Sequence, residues 1–580
     1  MSPGARRAVH GLLGAAAMIT VVTLLSRVLG LGRFLVLADT VGADRVGDAY
    51  TAANTLPNIL FETAAGGALA GAVVPMLAAP LARADRAGVD RIASAALGWT
   101  LLVLVPLGVL LAAFAEPLAA FLGGPDATSV ALIRFFTLVF AVQVPLYGLA
   151  VLLYGVLQAH RRFFWPAFAP VLNTLVVIAA YVGYGALAQG ETDDPAALAA
   201  GALEVLAWGT TAGVAAMCLP MLVPVHRLGV RLRPTLRFGG DAGGRFRALA
   251  LAGIGSVAAQ QVAVFLVLRL VLGYAPGGGE GYTAFVFAQQ VYLLPYAVLV
   301  VPLATSTFPR VAAHAAAAQR DAFARLAAVT TRGVLVAGVL GGAAVLAGGP
   351  AVAQVFASLA ENPGVAEGLT SALVPMAPGV VGVGVLFHVS RCLYALERSR
   401  AAVVANVVGW CTVSLAAVVL VVVVALGSEH VLAAVGAATT LGMTAGAVAA
   451  LVALRRAAGP GALTGLVRTS VVALLAGAVG AAAGRWVADS VLLLAGDGAW
   501  SAVGGAAGGA VLAAVVVAAA VALLDRGTVT DVLRAERAST AAPAVAVPVP
   551  GVDEAVVVDP RAGDAAAGDT RDEGRGTRDR

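Results

Sequence analysis

Arg27 and Arg33 stand inside "TLLSRVLGLGRFLVLAD" (23–39), a run that otherwise reads as membrane. A mid-helix arginine costs about 2.5–3.5 kcal/mol on insertion scales, so a partner acid, a water-filled cavity or an anionic ligand must offset it. Arginine suits phosphate because its planar fork bonds two oxygens at once. Six residues apart, the two side chains lie about 120° off eclipse on a straight helix. Gly30 and Gly32 between them permit a bend that aims both at one cavity. Snorkelling to the interface, or pairing with Asp39, Asp48 or Glu62, are the structural alternatives.

Other polar groups interrupt apolar runs. Glu62, in "LPNILFETAAGG", can pair with Arg27 or Arg33 or carry a coupling proton; pairing is the favoured reading. Asn54 and Asn58 are one turn apart and can line a cavity or bond across helices. "AAQQVAVFLVLRLVLG" carries Gln260, Gln261 and Arg269, and Gln289 and Gln290 precede "LLP". A glutamine pair on each of two spans reads as a neutral cavity lining. Arg269 lies one to two turns from the outside end, so snorkelling is the favoured reading and a substrate-binding role the alternative, and His388 with Arg391 reads as interfacial. Pro57, Pro75, Pro295 and Pro302 are placed to kink their helices, as moving helices require. No phosphate-cradling "GxxxxGK[ST]", no His/Cys cluster and no nucleophile with a base at useful spacing is present. Catalytic residues, a metal and a cofactor are therefore not expected, and the chain does not read as an enzyme.

The elements that must position these residues are membrane helices. Of 580 residues 60% are apolar and 12% charged, with mean hydropathy +0.92, far from the roughly 25% charged composition of soluble domains. The 37 basic residues are all arginine, and the three cysteines fall in apolar stretches as packing residues. No arginine stripe with interleaved aromatics suggests nucleic acid. Segments of about 20 apolar residues occur near 11–38, 49–80, 93–115, 128–157, 164–188, 196–224, 248–274, 282–309, 333–358, 368–390, 401–426, 430–454, 467–488 and 500–524. The first lacks a cleavage site and reads as a retained span. Alternate loops carry the arginines, from Arg83, Arg86 and Arg91 through Arg161 and Arg162 to Arg455 and Arg456, whereas "QGETDDP", "APGGGEG" and "AGDG" have none. This places both termini in the cytoplasm. Residues 536–580, rich in Pro, Ala, Gly and charge, read as a disordered cytoplasmic tail.

"LQAHRRFFWPAFAPVLN" (157–173) and "LYALERSRAAVVANVVG" (393–409) share five positions in register at an offset of 236. An offset spanning six helices keeps the membrane orientation. The expected architecture is all-α, with about 14 spans in two parallel six-helix lobes, 1–226 and 227–456, plus two helices in 457–535. Repeat-built transporters bind substrate between their halves near mid-membrane and work by rocking.

"SRVLGLGR" (26–33), "DAYTAANTLPN" (48–58), "AGGALAGAVVPML" (65–77) and "VLVVPLATSTFPRVA" (298–312) resemble the MurJ/MviN lipid II flippases, of the multidrug/oligosaccharidyl-lipid/polysaccharide exporter superfamily. The resemblance covers spans 1–12 in order. It implies two lobes around a central cavity, an extra helix pair that forms a groove for a lipid tail, and a bacterial plasma-membrane location. The implied cargo is a polyprenyl-pyrophosphate-linked sugar-peptide drawn from the lipid bilayer, and cell-wall synthesis proteins are implied partners. Ser26, Arg27 and Arg33 match the family's polar positions on span 1, and Asp48 matches the acid opening span 2. Phe34, Phe61 and Gln290 stand where members often carry an acid, an arginine and an arginine. The acids of a sodium site on spans 7 and 11 are missing too. The sequence thus points to a flippase working by alternating access, with Arg27 and Arg33 as its anion-binding edge. An exporter of another lipid-linked oligosaccharide or a drug, and a degenerate member acting as a cell-wall scaffold, are the other readings.

Overall fold

The computed structural model describes residues 25–63, 70–191, 194–238, 242–275, 281–424, 430–496 and 498–528, with Val22, Thr530, Asp531 and Arg534 as isolated positions. The expected tail and the first part of span 1 lie outside the described residues. Among the described residues the regular elements are helices, as a bilayer demands of backbone groups that have no water to bond. Helix α1 covers 25–40. A tight turn at 41–44 leads to α2 (Arg45–Phe61), then α3 (Ala70–Ala82), α4 (Arg86–Ala113), α5 (Ala115–Gly123), α6 (Ala127–Phe140), α7 (Gln143–Ala159), α8 (Phe164–Ala188), α9 (Ala202–Cys218) and the short α10 (Leu222–Arg227). The second half comprises α11 (Ala242–Tyr274), α12 (Tyr282–Pro295), α13 (Val301–Ala316), α14 (Arg320–Leu359), α15 (Pro363–Met376), α16 (Gly379–Ala395), α17 (Ser399–Val419) and α18 (Val431–Ala458). Last come α19 (Leu466–Ala495) and α20 (Ala499–Leu524).

Eleven described helices are long and apolar enough to cross a membrane, and α15 with α16, meeting at 50°, makes a twelfth span. These correspond in order to the third through fourteenth expected spans. The first two fall on α1 and on α2–α3, which border undescribed segments. The described residues are therefore consistent with fourteen spans.

Two elements depart from the sequence reading. The stretch expected to be a loop after the third span contains α5, opened by Glu116 and stopped at Gly124, where φ is +62°. Asp126 then caps α6 by accepting from the Thr128 and Ser129 amides. Helix α14 runs for 40 residues and begins 13 residues before the expected span. Its first turns carry Arg320, Asp321 and Arg325, so the helix continues into water where hydropathy alone sees a loop.

The last helix pair packs against α14. Gly484 of α19 and Gly509 of α20 face each other so closely that a Cβ on either would meet the other's carbonyl, the small-residue contact by which membrane helices approach. Beyond α20, Asp525 accepts from Thr469 at 2.5 Å and Thr528 at 2.7 Å, Arg332 donates to Thr528 at 2.8 Å, and Arg468 donates to the Leu524 carbonyl at 2.7 Å. Burial pushes the Asp525 carboxyl up, but the hydrogen bonds from Thr469 and Thr528 and the Arg332 and Arg468 charges outweigh it and hold the group below its usual range. The segment between the halves runs along α4: Ser94 donates to the Arg231 carbonyl, and Trp99 to that of Leu236. A methyl on Gly98 would strike the Thr235 backbone.

Candidate functional site

Helix α1 runs unbroken through Gly30 and Gly32, and nothing stands where either would carry a Cβ. The six-residue spacing then turns its two arginines to different surroundings. The Arg33 guanidinium lies 4.9 Å from the Phe34 ring. Its buried Nε has no hydrogen-bond partner among the described residues. Arg27 is exposed. Phe34 also meets Phe287 of α12 edge-on at 6.3 Å.

Tyr296 opens a widened π turn (Tyr296–Val300) directly after Pro295. Proline supplies no amide to the preceding turn, and such bulges recur at functional sites. Tyr296 packs edge-on against Phe387 at 5.5 Å. The Arg391 guanidinium lies 4.4 Å above Phe387 and 5.7 Å from Phe308. Arg391 also donates to the Thr305 hydroxyl at 3.3 Å. Arg391 thus stands one ring away from Tyr296.

Tyr296 and Phe387 form part of the wall of a cavity of about 420 Å³ held by α11, α12, α16, α17 and α18. Its polar lining comes from Gln260, Gln289, Asn406, Thr439, Tyr282 and Tyr292, and among the described residues no charged side chain lines it. Trp410 and Phe285 supply ring surface. The Tyr292 hydroxyl is buried with no hydrogen-bond partner among the described residues.

A polar seam joins the halves where α1 turns into α2. Asp48 of α2 accepts the Thr283 amide at 2.8 Å and so caps α12. A methyl on Gly281 would run into that carboxylate, so glycine is needed for the approach. The Thr283 hydroxyl donates to Thr51 at 3.2 Å, and the Thr55 and Tyr282 hydroxyls are 3.3 Å apart. Asn362, which caps α15, donates to Asp44 at 2.7 Å.

The remaining sequence candidates fall in various places. Ser26 is half-buried beside Arg27. Glu62 is exposed at the end of α2, and among the described residues no ion pair joins it to Arg27 or Arg33, although pairing was the favoured expectation. Asn58 donates to the Asn54 carbonyl at 2.8 Å, within its own helix, while the Asn54 side-chain oxygen is buried without a partner among the described residues. Pro57 is buried in an α2 that continues to Phe61. Gln260 lines the cavity; of the second glutamine pair Gln289 lines it, and Gln290 does not, since successive helix positions differ by about 100°. Arg269 stands 4.8 Å over Phe121 and 6.0 Å from Tyr274, clasping α11 to α5 and away from the cavity. Phe61 lies 4.7 Å from the Tyr147 ring. The structure therefore puts Gln260 in one cavity wall with Tyr296, and Arg27, Arg33, Asn54, Glu62 and Arg269 do not line that cavity. Arg391, Asn406, Trp410 and Thr439 join the site without having been singled out for it.

The family model described as "Lipid II flippase MurJ" matches residues 37–495. Lipid II flippase MurJ of Burkholderia cenocepacia is 36% identical over 172 residues, 29% of this chain and 33% of that protein. Probable lipid II flippase MurJ of Rhizobium meliloti is 26% identical over 303 residues, 50% of this chain and 53% of that protein. The chain thus spans between a third and about half the length of these curated relatives. A solved lipid II flippase MurJ in an inward closed conformation aligns with TM-score 0.68 and 17% identity, over 88% of this chain and 100% of that one. An inward-facing MATE-family multidrug resistance transporter of the MOP superfamily aligns with TM-score 0.59 and 15% identity, over 79% of this chain and 98% of that one. At these identities the structural likeness shows the fold.

Proposed function

The chain belongs to the lipid II flippase MurJ family, and from that premise we propose that it moves lipid II, the polyprenyl-pyrophosphate-linked peptidoglycan precursor, from the inner to the outer leaflet by alternating access. The observation that carries this reading is Arg391, held 4.4 Å over Phe387 beside Tyr296 in the wall of a cavity with no charged lining among the described residues; Arg27 and Arg33 on α1 are the further cations. An anionic pyrophosphate offsets the cost of holding arginine in a membrane, and two forks can share its oxygens. Arg33 is available to the same anion once the halves rock.

The moving bodies are the halves 1–226 and 227–456, with 457–535 as an accessory pair that guides the lipid tail. The arginine-rich loops support cytoplasmic termini. That orientation puts the Asp48–Thr283 seam at the outer end, so cargo enters from the inner leaflet. Proteins of cell-wall synthesis are natural partners at the point of delivery. Depletion of the protein followed by treatment of spheroplasts with an added, membrane-impermeant hydrolase of lipid II tests the reading. The cleavable fraction of precursor should fall while total precursor rises; an unchanged cleavable fraction would overturn it.

A further inference from the structure

We propose that the uncharged cavity of the second half is a sugar site, which seats the carbohydrate of the lipid-linked cargo while the pyrophosphate stays with Arg27 and Arg391. This rests on the flippase reading and assigns a part of the cargo to a part of the protein.

The lining chemistry selects the ligand. Gln260, Gln289, Asn406 and Thr439 come from four different helices and converge on one space. Asn406 already donates to Ser390 and the Ala402 carbonyl, and Thr439 to the Val435 carbonyl, so both offer acceptor oxygens, while the Gln260 and Gln289 amides can donate and accept; the hydroxyl and acetamido groups of a sugar match such a mixed set. A lipid tail gains nothing from four such groups. With no charged residue in the wall among the described residues, the cavity is poor for a bare phosphate or a cation, because an unpaired buried charge is costly. Tyr292, 4% exposed, keeps a buried hydroxyl without a protein partner in the described structure, and a ligand hydroxyl would satisfy it. Trp410 and Phe285 add ring surface to the wall, apolar ground for the C–H face of a pyranose. The volume of about 420 Å³ lies in the range of small-molecule sites.

The position of Arg391 supports the same assignment. Phe387 lines the cavity on one side and carries Arg391 at 4.4 Å on the other. Tyr296 also lines the cavity and packs edge-on against Phe387 at 5.5 Å. Neutral and cationic surroundings therefore meet at this ring pair. A glycosyl pyrophosphate changes from neutral ring to anion across one bond and fits such a boundary.

Full-length protein in nanodiscs would be titrated with two probes, undecaprenyl pyrophosphate and the same lipid bearing the disaccharide-pentapeptide. Wild type should bind the sugar-bearing probe more tightly. Gln289→Leu and Asn406→Leu should each weaken that probe about tenfold and leave the sugarless probe nearly unchanged. Arg391→Ala should weaken both probes alike. Thr439→Val, which removes a hydroxyl at nearly constant volume, gives the same readout should the amide variants fail to fold. Equal binding of the two probes by wild type, or equal loss of both in the cavity variants, would overturn the sugar site and leave the flippase reading standing. Failure of wild type to bind either probe would count against the flippase reading itself, and the sugar site would fall with it.

Discussion

Two arginines on α1 without an acid partner among the described residues are an electrostatic cost, of which the Phe34 ring offsets a part for Arg33. A cation over a ring gains about 0.5–2 kcal/mol, less than the roughly 2.5–3.5 kcal/mol of placing arginine at mid-membrane. On the proposed reading the remainder falls to cargo. Charge-assisted hydrogen bonds contribute about 1.5–3 kcal/mol each, so Arg27→Ala and Arg391→Ala should each weaken binding of a pyrophosphate lipid by about 10- to 150-fold. On the proposed reading both act on one pyrophosphate, so the losses should be less than additive in the double variant, which a double-mutant cycle measures. Full additivity would separate them into unrelated sites. Arg27 and Arg33 were legible in the sequence because charge stands out against an apolar run. Arg391 was not, since an arginine at a span end looks the same whether it snorkels or faces a cavity. Asn406, Trp410 and Thr439 give no contrast at all: each is one polar or aromatic position on a helix whose partners are set only by packing.

Helices were legible from hydropathy, whereas their clasps were not. Arg269 looked like a cavity cation because its ring partner, Phe121, sits on α5, a helix in a segment that reads as a loop. Removing the ring by Phe121→Ala should lower stability by about 1–2 kcal/mol, the value of a partly desolvated cation–ring contact, plus the loss of the Phe121–Phe265 stack at 6.4 Å. Lipid binding should remain near wild type; a large loss of binding would return Arg269 to the cargo path. The Asp525 tie between α14, α19 and the end of α20 was equally invisible, being made of scattered threonines and arginines. Its carboxyl is held below the usual range, so its contribution to stability is complete above the unfolded value, about 3.9, and is lost as pH falls through the folded value. The melting-temperature gap between wild type and Asp525→Asn should therefore be constant above about pH 5 and shrink on acidification below about pH 4. A gap that widens in acid would mean that the carboxylate is not the stabilising form.

At the scale of the whole molecule, the two halves meet at a seam that must open if cargo is to leave on the far side. Its described bonds are individually modest: one carboxylate cap, typically about 1 kcal/mol, the Asn362–Asp44 bond to a carboxylate, about 1.5–3 kcal/mol, and neutral hydroxyl pairs of about 0.5–1.5 kcal/mol each. Such a seam holds one arrangement without making it permanent, which a cyclic transporter requires. The loops it joins, between α1 and α2, before α12 and before α15, all belong to the arginine-poor set, so charge pattern and geometry assign it to the same end. The Thr51 and Thr283 hydroxyls are 3.2 Å apart across it. Replacing both with cysteine, in a background lacking Cys411, the exposed native thiol, should allow oxidation to lock the seam. Transport of precursor should then stop and recover on adding a thiol reductant, while binding from the inner side persists throughout. Binding lost together with transport would mean that the seam shapes the cargo site directly. Transport that continues in the locked protein would mean that the halves need not part there, and alternating access about this seam would be wrong.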